Sequence, residues 1–215
     1  MKKIRLLIFT LILSLAIPIP SIAGTLEEEI LVLWDAWTAE QDSYTQKVLA
    51  RQKETRPILA KYLGKAVREY FPDLAKAKEA HLVLAAMSIS ESKLDSSKIG
   101  TRGEVGILQC HPRWCMSLLD WLKPFSVRER QRIGLKEPSA SISGATAHLA
   151  GAVEECRITI KDINDWVKPV SYYGAGTKAL RDGRCIKKQF AKNKVSIMKR
   201  YYPVILQLRR QDTIS

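Results

Sequence analysis

The pattern of hydrophobic and polar positions centres on residues 82–89, which are apolar everywhere except at Ser88. An apolar run of this length fits a buried strand or a buried helix. Its alanines and its methionine have high helix propensity, so we predict a helix over residues 74–90. Glu91 follows directly, and a polar loop with three glycines occupies residues 92–106.

Apolar residues at helical spacing predict most of the remaining elements. A capping box of Thr25 and Glu28 begins a helix over residues 25–53, whose apolar face we expect to dock on the rest of the protein. Further helices are predicted at 58–70, 141–157 and 195–208, with a short helix within 110–122 and a helical turn at 127–132. Strand-like alternation is absent, although the 92–106 loop has room for a small hairpin. The predicted fold class is therefore mainly α.

The first residues have the three parts of an export signal. Basic residues come first, an apolar stretch covers residues 6–17, and two prolines and the small residues 21–23 follow. We predict cleavage after Ala23 and export to the periplasm or cell envelope. An uncleaved membrane anchor stays open as an alternative, because residues 6–23 are just long enough to span a bilayer.

The chain is strongly basic, with a formal net charge of +13. Removal of the predicted leader takes away three cations and no acid, which leaves +10. A protein with this charge is attracted to polyanions. For an exported protein we expect wall polymers or an anionic membrane surface as partners and no nucleic acid. The acid-free stretch 184–210 is the candidate contact region, and a solvated helix face explains it equally well.

The four cysteines, Cys110, Cys115, Cys156 and Cys185, all follow the predicted leader. In an exported chain they predict two disulfides, for which three pairings are possible. We favour Cys110 with Cys115 and Cys156 with Cys185, which closes one short and one medium loop. A metal site of Cys110, His111 and Cys115 is the alternative, although this spacing fits no common zinc template.

Glu91 is the strongest candidate for chemistry. A carboxylate at the end of a buried helix is partly desolvated and meets the negative end of the helix dipole. Both effects favour the protonated carboxyl, which is the form that a general acid needs near neutral pH. The alternative is a surface glutamate at a helix end. The histidines His81, His111 and His148 are scattered, and we interpret them as structural.

Two motifs resemble those of the soluble lytic transglycosylases, a branch of the lysozyme-like superfamily. The family's Glu-Ser and Gly-x-x-Gly-Leu-Met-Gln are matched in register by Glu91-Ser92 and Gly103-Glu104-Val105-Gly106-Ile107-Leu108-Gln109. Its Tyr-Asn-Ala-Gly is matched in part by Tyr173-Gly174-Ala175-Gly176. The resemblance covers residues 80–202 and therefore more than half of the chain.

This resemblance implies a lysozyme-like, goose-type catalytic domain over residues 79–208, with a helical extension at 24–78 and a tail at 209–215. It implies cleavage of the β-1,4 bond between N-acetylmuramic acid and N-acetylglucosamine in peptidoglycan, with formation of a 1,6-anhydro ring. Glu91 is then the catalytic acid, and the chain needs no cofactor and no metal and acts as a monomer. By the same resemblance the substrate-binding residues are Ser92, Gly106, Leu108, Gln109, Tyr173 and Ala175.

The chain departs from the family pattern at several positions. Leu108 replaces the usual Met, which is a mild change, and Gly174 replaces Asn, which removes a side-chain amide. The family's acidic residue before the last helix has no counterpart between Asp182 and Asp212.

Two rival functions stay open. Glu104 would make the protein an inverting muramidase if its carboxylate faced the cleft and held a water molecule, but we expect an exposed loop residue. The other rival is a non-catalytic wall-binding component of a secretion or conjugation apparatus.

Overall fold

The computed structural model describes residues 25–50, 52–73 and 77–214, and the predicted leader lies outside them. Within these ranges the mainly α class is confirmed, and the only sheet is a two-stranded hairpin. The helices are α1 (Leu26–Ala39), α2 (Ser43–Ala50), α3 (Arg56–Tyr70), α4 (Ala80–Ser92), α5 (Val127–Lys136), α6 (Pro138–Glu155), α7 (Val167–Ala175) and α8 (Gln189–Ile214). The hairpin strands β1 (Leu180–Arg181) and β2 (Arg184–Cys185) pair antiparallel.

Helix α4 lies at the centre of the fold. Its residues 80–89 are all buried, because α1, α3 and α8 pack around it. A helix that is apolar on every side is stable only inside such a shell. It begins later than predicted, at Ala80, because Glu79 has a left-handed backbone with φ of 65°. That conformation does not fit within a right-handed helix. Residues 74–76 of the predicted helix lie outside the described residues.

The single helix predicted over residues 25–53 is wrong, because the chain divides it into α1 and α2. The predicted capping box is confirmed: Glu28 N–H donates to Thr25 Oγ1 at 3.2 Å, and Thr25 N–H donates to Glu28 Oε2 at 2.7 Å. After α1 ends, Asp42 Oδ1 accepts a hydrogen bond from Thr45 N–H at 2.8 Å. An aspartate in this role starts a new helix, which explains the break.

Other boundaries also differ from the prediction. Only a helical turn is predicted near residues 127–132, but α5 has ten residues and begins with a second capping box, formed by Ser126 and Glu129. Residues 110–122 contain the 3₁₀ segments Met116–Leu118 and Asp120–Leu122 in place of an α-helix. Helix α8 extends beyond the predicted 195–208 at both ends.

Both favoured disulfides are confirmed. Cys110 is bonded to Cys115, and Cys156 at the end of α6 is bonded to Cys185 in β2. The alternative metal site at Cys110, His111 and Cys115 is wrong, because the disulfide leaves no thiolate to bind a metal there. The longer bridge fastens the β1–β2 hairpin, which follows α7, to α6.

The apolar face of α1 packs against α4. Trp34 is fully buried, and its indole Nε1–H donates to Ala85 O at 3.2 Å and Ser88 Oγ at 3.1 Å. This contact satisfies the one polar atom of a large buried side chain. In the part of the chain that the structure describes, no helix combines the length and apolarity needed to cross a membrane.

A buried ion cluster fastens α8 to α1 and to the start of α4. Arg209 donates to Glu29 from Nε and Nη2, at 2.7 and 2.6 Å, and to Glu79 from Nη1 and Nη2, at 2.8 and 2.7 Å. His81 Nε2 lies 2.7 Å from Glu29 Oε2, and the Tyr202 hydroxyl donates to Glu79 at 2.9 Å. The guanidinium lies between the two carboxylates and pairs with both, so this cluster acts as an ion-pair site.

Candidate active site

Glu91 lies in the last turn of α4, at a cleft of about 560 Å³. The chain leaves the helix directly afterwards, since Lys93 and Leu94 have left-handed backbones with φ of 56° and 65°. The Glu91 side chain is 22% exposed. Its carboxylate is therefore shielded from most of the solvent and still open to a molecule in the cleft.

The neighbour of the Glu91 carboxylate is an ammonium group, which the sequence analysis does not predict. Lys194 Nζ, on α8, forms an ion pair with Glu91 Oε1, and the Lys194 side chain is only 10% exposed. The same nitrogen lies 5.1 Å from the centre of the Phe190 ring, within reach of a cation–π contact. The ion pair therefore ties the end of α4 to α8 at the cleft.

Tyr173 lines the same cleft from α7. Its hydroxyl donates to Leu108 O at 2.9 Å, and its ring lies against His148, with the ring centres 5.2 Å apart. Burial raises the pKa of the Tyr173 hydroxyl, and the charge of Glu91 raises it further. Burial also lowers the pKa of the His148 imidazole. Both side chains are therefore neutral at neutral pH.

Gln109 lies in the cleft with its amide held by the loop. Its Nε2 donates to Gly106 O at 2.9 Å and to Lys98 O at 3.2 Å. Lys98 in turn donates from Nζ to Glu91 O at 2.6 Å. These contacts join the loop after α4 to the end of the helix, which fixes the amide relative to Glu91.

Four of the predicted site residues do not line the cleft. Ser92 is buried and donates to Ser88 O and Ile107 O, so it holds Glu91 through the backbone and not through its carboxylate. The Leu108 side chain is buried, and only its carbonyl contributes, as the acceptor for Tyr173. Ala175 ends α7 outside the cleft lining. The fourth residue is Gly106.

The backbone conformation and the packing at position 106 both require glycine. Its φ is 76°, in the left-handed region that favours glycine, and an added Cβ would lie 2.5 Å from Ser141 Oγ. A side chain at this position would therefore clash with α6. Packing against α6 therefore accounts for this glycine.

Gly174, at the position where the resembled motif has asparagine, lines the cleft. An added Cβ at Gly174 would lie 2.6 Å from the Phe190 ring. Phe190, on α8, thus occupies the space that a side chain at position 174 would need.

Glu104 also lines the cleft, so its expected place as an exposed loop residue is wrong. It is half-buried, and its Oε2 accepts a hydrogen bond from Arg102 N–H at 2.9 Å. An added Cβ at Gly100 would lie 2.5 Å from Glu104 Oε2 and 2.6 Å from Gln109 Oε1. The carboxylate and the amide therefore converge on one point, and a second acid faces the site.

Several cleft residues have no counterpart among the predicted site residues. His111, His148, Trp114 and Phe190 all line the cleft, and two of them are the histidines interpreted above as structural. Lys194 could have been found from the sequence, because its spacing from the apolar residues of α8 places it on the buried face of that helix. Those residues are Ala191, Val195, Met198, Tyr201 and Ile205.

The geometry defines a mainly helical, disulfide-bonded protein with a cleft that carries two carboxylates, an amide, a tyrosine and exposed aromatic rings. No protein-family model matches this chain, and neither the curated proteins nor the solved structures include a match to it.

Proposed function

We propose that this protein is an exported peptidoglycan lytic transglycosylase with a lysozyme-like catalytic domain. The observation that carries the proposal is the convergence of Glu91, Gln109 and Tyr173 on one cleft, although Tyr173 lies far from the other two in the sequence. These are the acid, the amide and the tyrosine that the motif resemblance assigns to one site. A chance match of short motifs has no reason to bring these three side chains together.

The proposed reaction needs one carboxyl group in two successive roles. Glu91 first protonates the bridging oxygen of the β-1,4 bond, which breaks the bond to the muramic anomeric carbon. The substrate's own acetamido group stabilises the cationic centre, a recognised alternative to an enzyme nucleophile. The C6 hydroxyl of the same sugar then attacks that carbon and gives its proton to Glu91, which closes the 1,6-anhydro ring.

Lys194 supplies a charge partner for the intermediate form of Glu91. After the first step the carboxylate is ionised in a cleft where little water reaches it, and an unpaired charge there is costly. The ammonium offsets this cost until the second step returns the proton. The cycle therefore begins and ends with the same protonation state of Glu91.

The test is mass spectrometry of the fragments that the oxidised, mature protein releases from purified peptidoglycan. Wild type is expected to release fragments with 1,6-anhydro ends. Glu91→Gln keeps the size of the side chain but has no acidic proton, and it should lower release by about 10²–10⁴-fold, the usual contribution of a general acid. Glu54→Gln, at an exposed turn, is the matched control. Equal release by wild type and Glu91→Gln would remove Glu91 from the mechanism.

Hydrolysis by an inverting muramidase is the second candidate, and the position of Glu104 in the cleft favours it. In that reaction a carboxylate activates a water molecule that attacks the anomeric carbon. The fragments then have reducing ends, and Glu104→Gln abolishes their release. Under transglycosylation the fragments from Glu104→Gln still have anhydro ends. The chemistry of the fragment ends therefore distinguishes the two candidates.

Export is part of the proposal, and the two disulfides support it. Disulfides persist in oxidising compartments and are rare in the reducing cytosol. Peptidoglycan is reached from the same side of the membrane. The proposed partner is therefore the glycan strand of the wall. The peptides attached to the strand carry carboxylates, and these attract the basic surface of the protein, which we propose acts as a monomer.

A further inference from the structure

Trp114 has the largest exposed fraction, 59%, among the large apolar side chains that the structure describes as exposed. It lines the cleft that also contains Glu91. In contrast, Trp34, Trp37 and Trp166 are buried in the core. Leaving an indole in water forgoes the free energy that burial would provide. Core packing therefore does not account for the position of Trp114.

The Trp114 ring is held in place before any ligand arrives. It stacks on His111, with the ring centres 4.8 Å apart and the planes 24° from parallel. The backbone N–H of Trp114 donates to His111 O at 3.0 Å, and the backbone N–H of Arg113 donates to His111 Nδ1 at 3.1 Å. The disulfide between Cys110 and Cys115 closes this short loop. A surface fixed in this way loses little conformational entropy when it binds.

An exposed, fixed aromatic face matches one particular kind of ligand surface. A hexose ring in the β-linked form presents an apolar face of C–H bonds and a rim of polar substituents. An indole provides a flat apolar area on which such a face can stack. Polar side chains of Lys98, Arg102 and Gln109 line the same cleft and can bond to the rim.

We propose that Trp114 is a binding residue that stacks on one N-acetylhexosamine ring of the glycan strand. The inference rests on the proposed function, because it takes the strand as the ligand of this cleft. It assigns Trp114 to binding alone, since bond cleavage needs the carboxyl of Glu91. Loss of the indole therefore weakens binding and raises KM, while kcat changes little.

The test uses peptide-free glycan strands, prepared with an amidase, and measures their binding by calorimetry. Protein that carries Glu91→Gln is used throughout, so that the strands stay intact. We expect saturable binding that Trp114→Ala weakens about tenfold, equivalent to about 1.4 kcal/mol, and that Trp114→Phe largely retains. Trp121→Ala is the matched control, because Trp121 is 53% exposed but does not line this cleft. Urea unfolding midpoints check that each variant is folded.

The outcomes separate this inference from the proposed function. Equal binding by Trp114→Ala and Trp121→Ala overturns the stacking role, even if the wild type cleaves strands. Absence of strand binding by folded Glu91→Gln protein overturns it as well. If binding depends on Trp114 but the wild type releases no fragments, the cleavage proposal fails and the stacking role stands.

Discussion

The buried ion cluster at Arg209 makes a sharp prediction about stability in acid. Burial by itself raises the pKa of the Glu29 carboxyl, but hydrogen bonds from Arg209 and His81 outweigh burial and lower the pKa from 4.5 to about 2. The Glu79 carboxyl also titrates below its usual range, because Arg209 and Tyr202 outweigh the opposing effect of its burial. Both carboxyl groups therefore bind protons more weakly in the folded protein than in the unfolded chain.

The sign and the size of the effect follow from the pKa of Glu29. A folded-state pKa below the unfolded value means that the unfolded chain binds protons more readily, so stability falls as the pH falls. The contribution is complete above the unfolded pKa of 4.5 and is lost as the pH approaches about 2. Each pH unit between the two values corresponds to about 1.4 kcal/mol. Glu29 alone therefore contributes about 3 kcal/mol to the free energy of unfolding at neutral pH.

The assay is urea unfolding of the oxidised protein at several pH values between about 6 and 2. Glu29→Gln should be less stable than the wild type at pH 6, and this difference should disappear near pH 2. Glu54→Gln, at an exposed turn, should follow the pH dependence of the wild type. If Glu29→Gln kept the full pH dependence of the wild type, the cluster would not be the source of acid sensitivity.

Two further predictions concern covalent and steric links around the cleft. Removing the Cys156–Cys185 bridge, with a sequence separation of 29, should cost about 3.6 kcal/mol of stability by loop-closure entropy. Removing the Cys110–Cys115 bridge, with a sequence separation of 5, should cost about 2 kcal/mol. Urea unfolding of two variants, each with both cysteines of one bridge replaced by serine, compares the two losses of stability. Gly174→Asn should destabilise the protein by about 1–3 kcal/mol through overpacking against Phe190. In a Phe190→Ala background the same change should be tolerated, and a double-mutant cycle without coupling would contradict this.

The sequence predicts best those features that depend on nearby residues. The capping box at Thr25 and the buried helix before Glu91 each follow from a few adjacent positions, and both are present. The break between α1 and α2 was missed, because a single aspartate, Asp42, outweighs a helical pattern that continues past it. The sequence does not predict the left-handed backbone of Glu79 either, because that conformation is typical of Gly or Asn and not of glutamate.

In the candidate site, too, residues within a short motif could be predicted, and contacts between distant parts of the chain could not. The motif residues could be predicted because their spacing within the sequence carries the signal. The partner of Glu91 could not, since Lys194 is 103 positions away. It lies in a run of basic residues that resembles a solvated surface. Its helical phase places Lys194 on the buried face of α8, and only the three-dimensional arrangement shows that its ammonium contacts Glu91.

Helix α8 therefore supplies two separate cation contacts, one in the cleft and one in the ion cluster. Lys194 and Arg209 are fifteen positions apart, which separates them by about 22 Å along a helix and leaves them on similar faces. The first lysine lies against Glu91 in the cleft, and the arginine lies in the Glu29 cluster. Between them, the buried side chains of Met198, Tyr201 and Ile205 hold the helix against the core. The two cations therefore anchor one helix at both ends, on either side of Pro203, where the backbone hydrogen-bond pattern is interrupted.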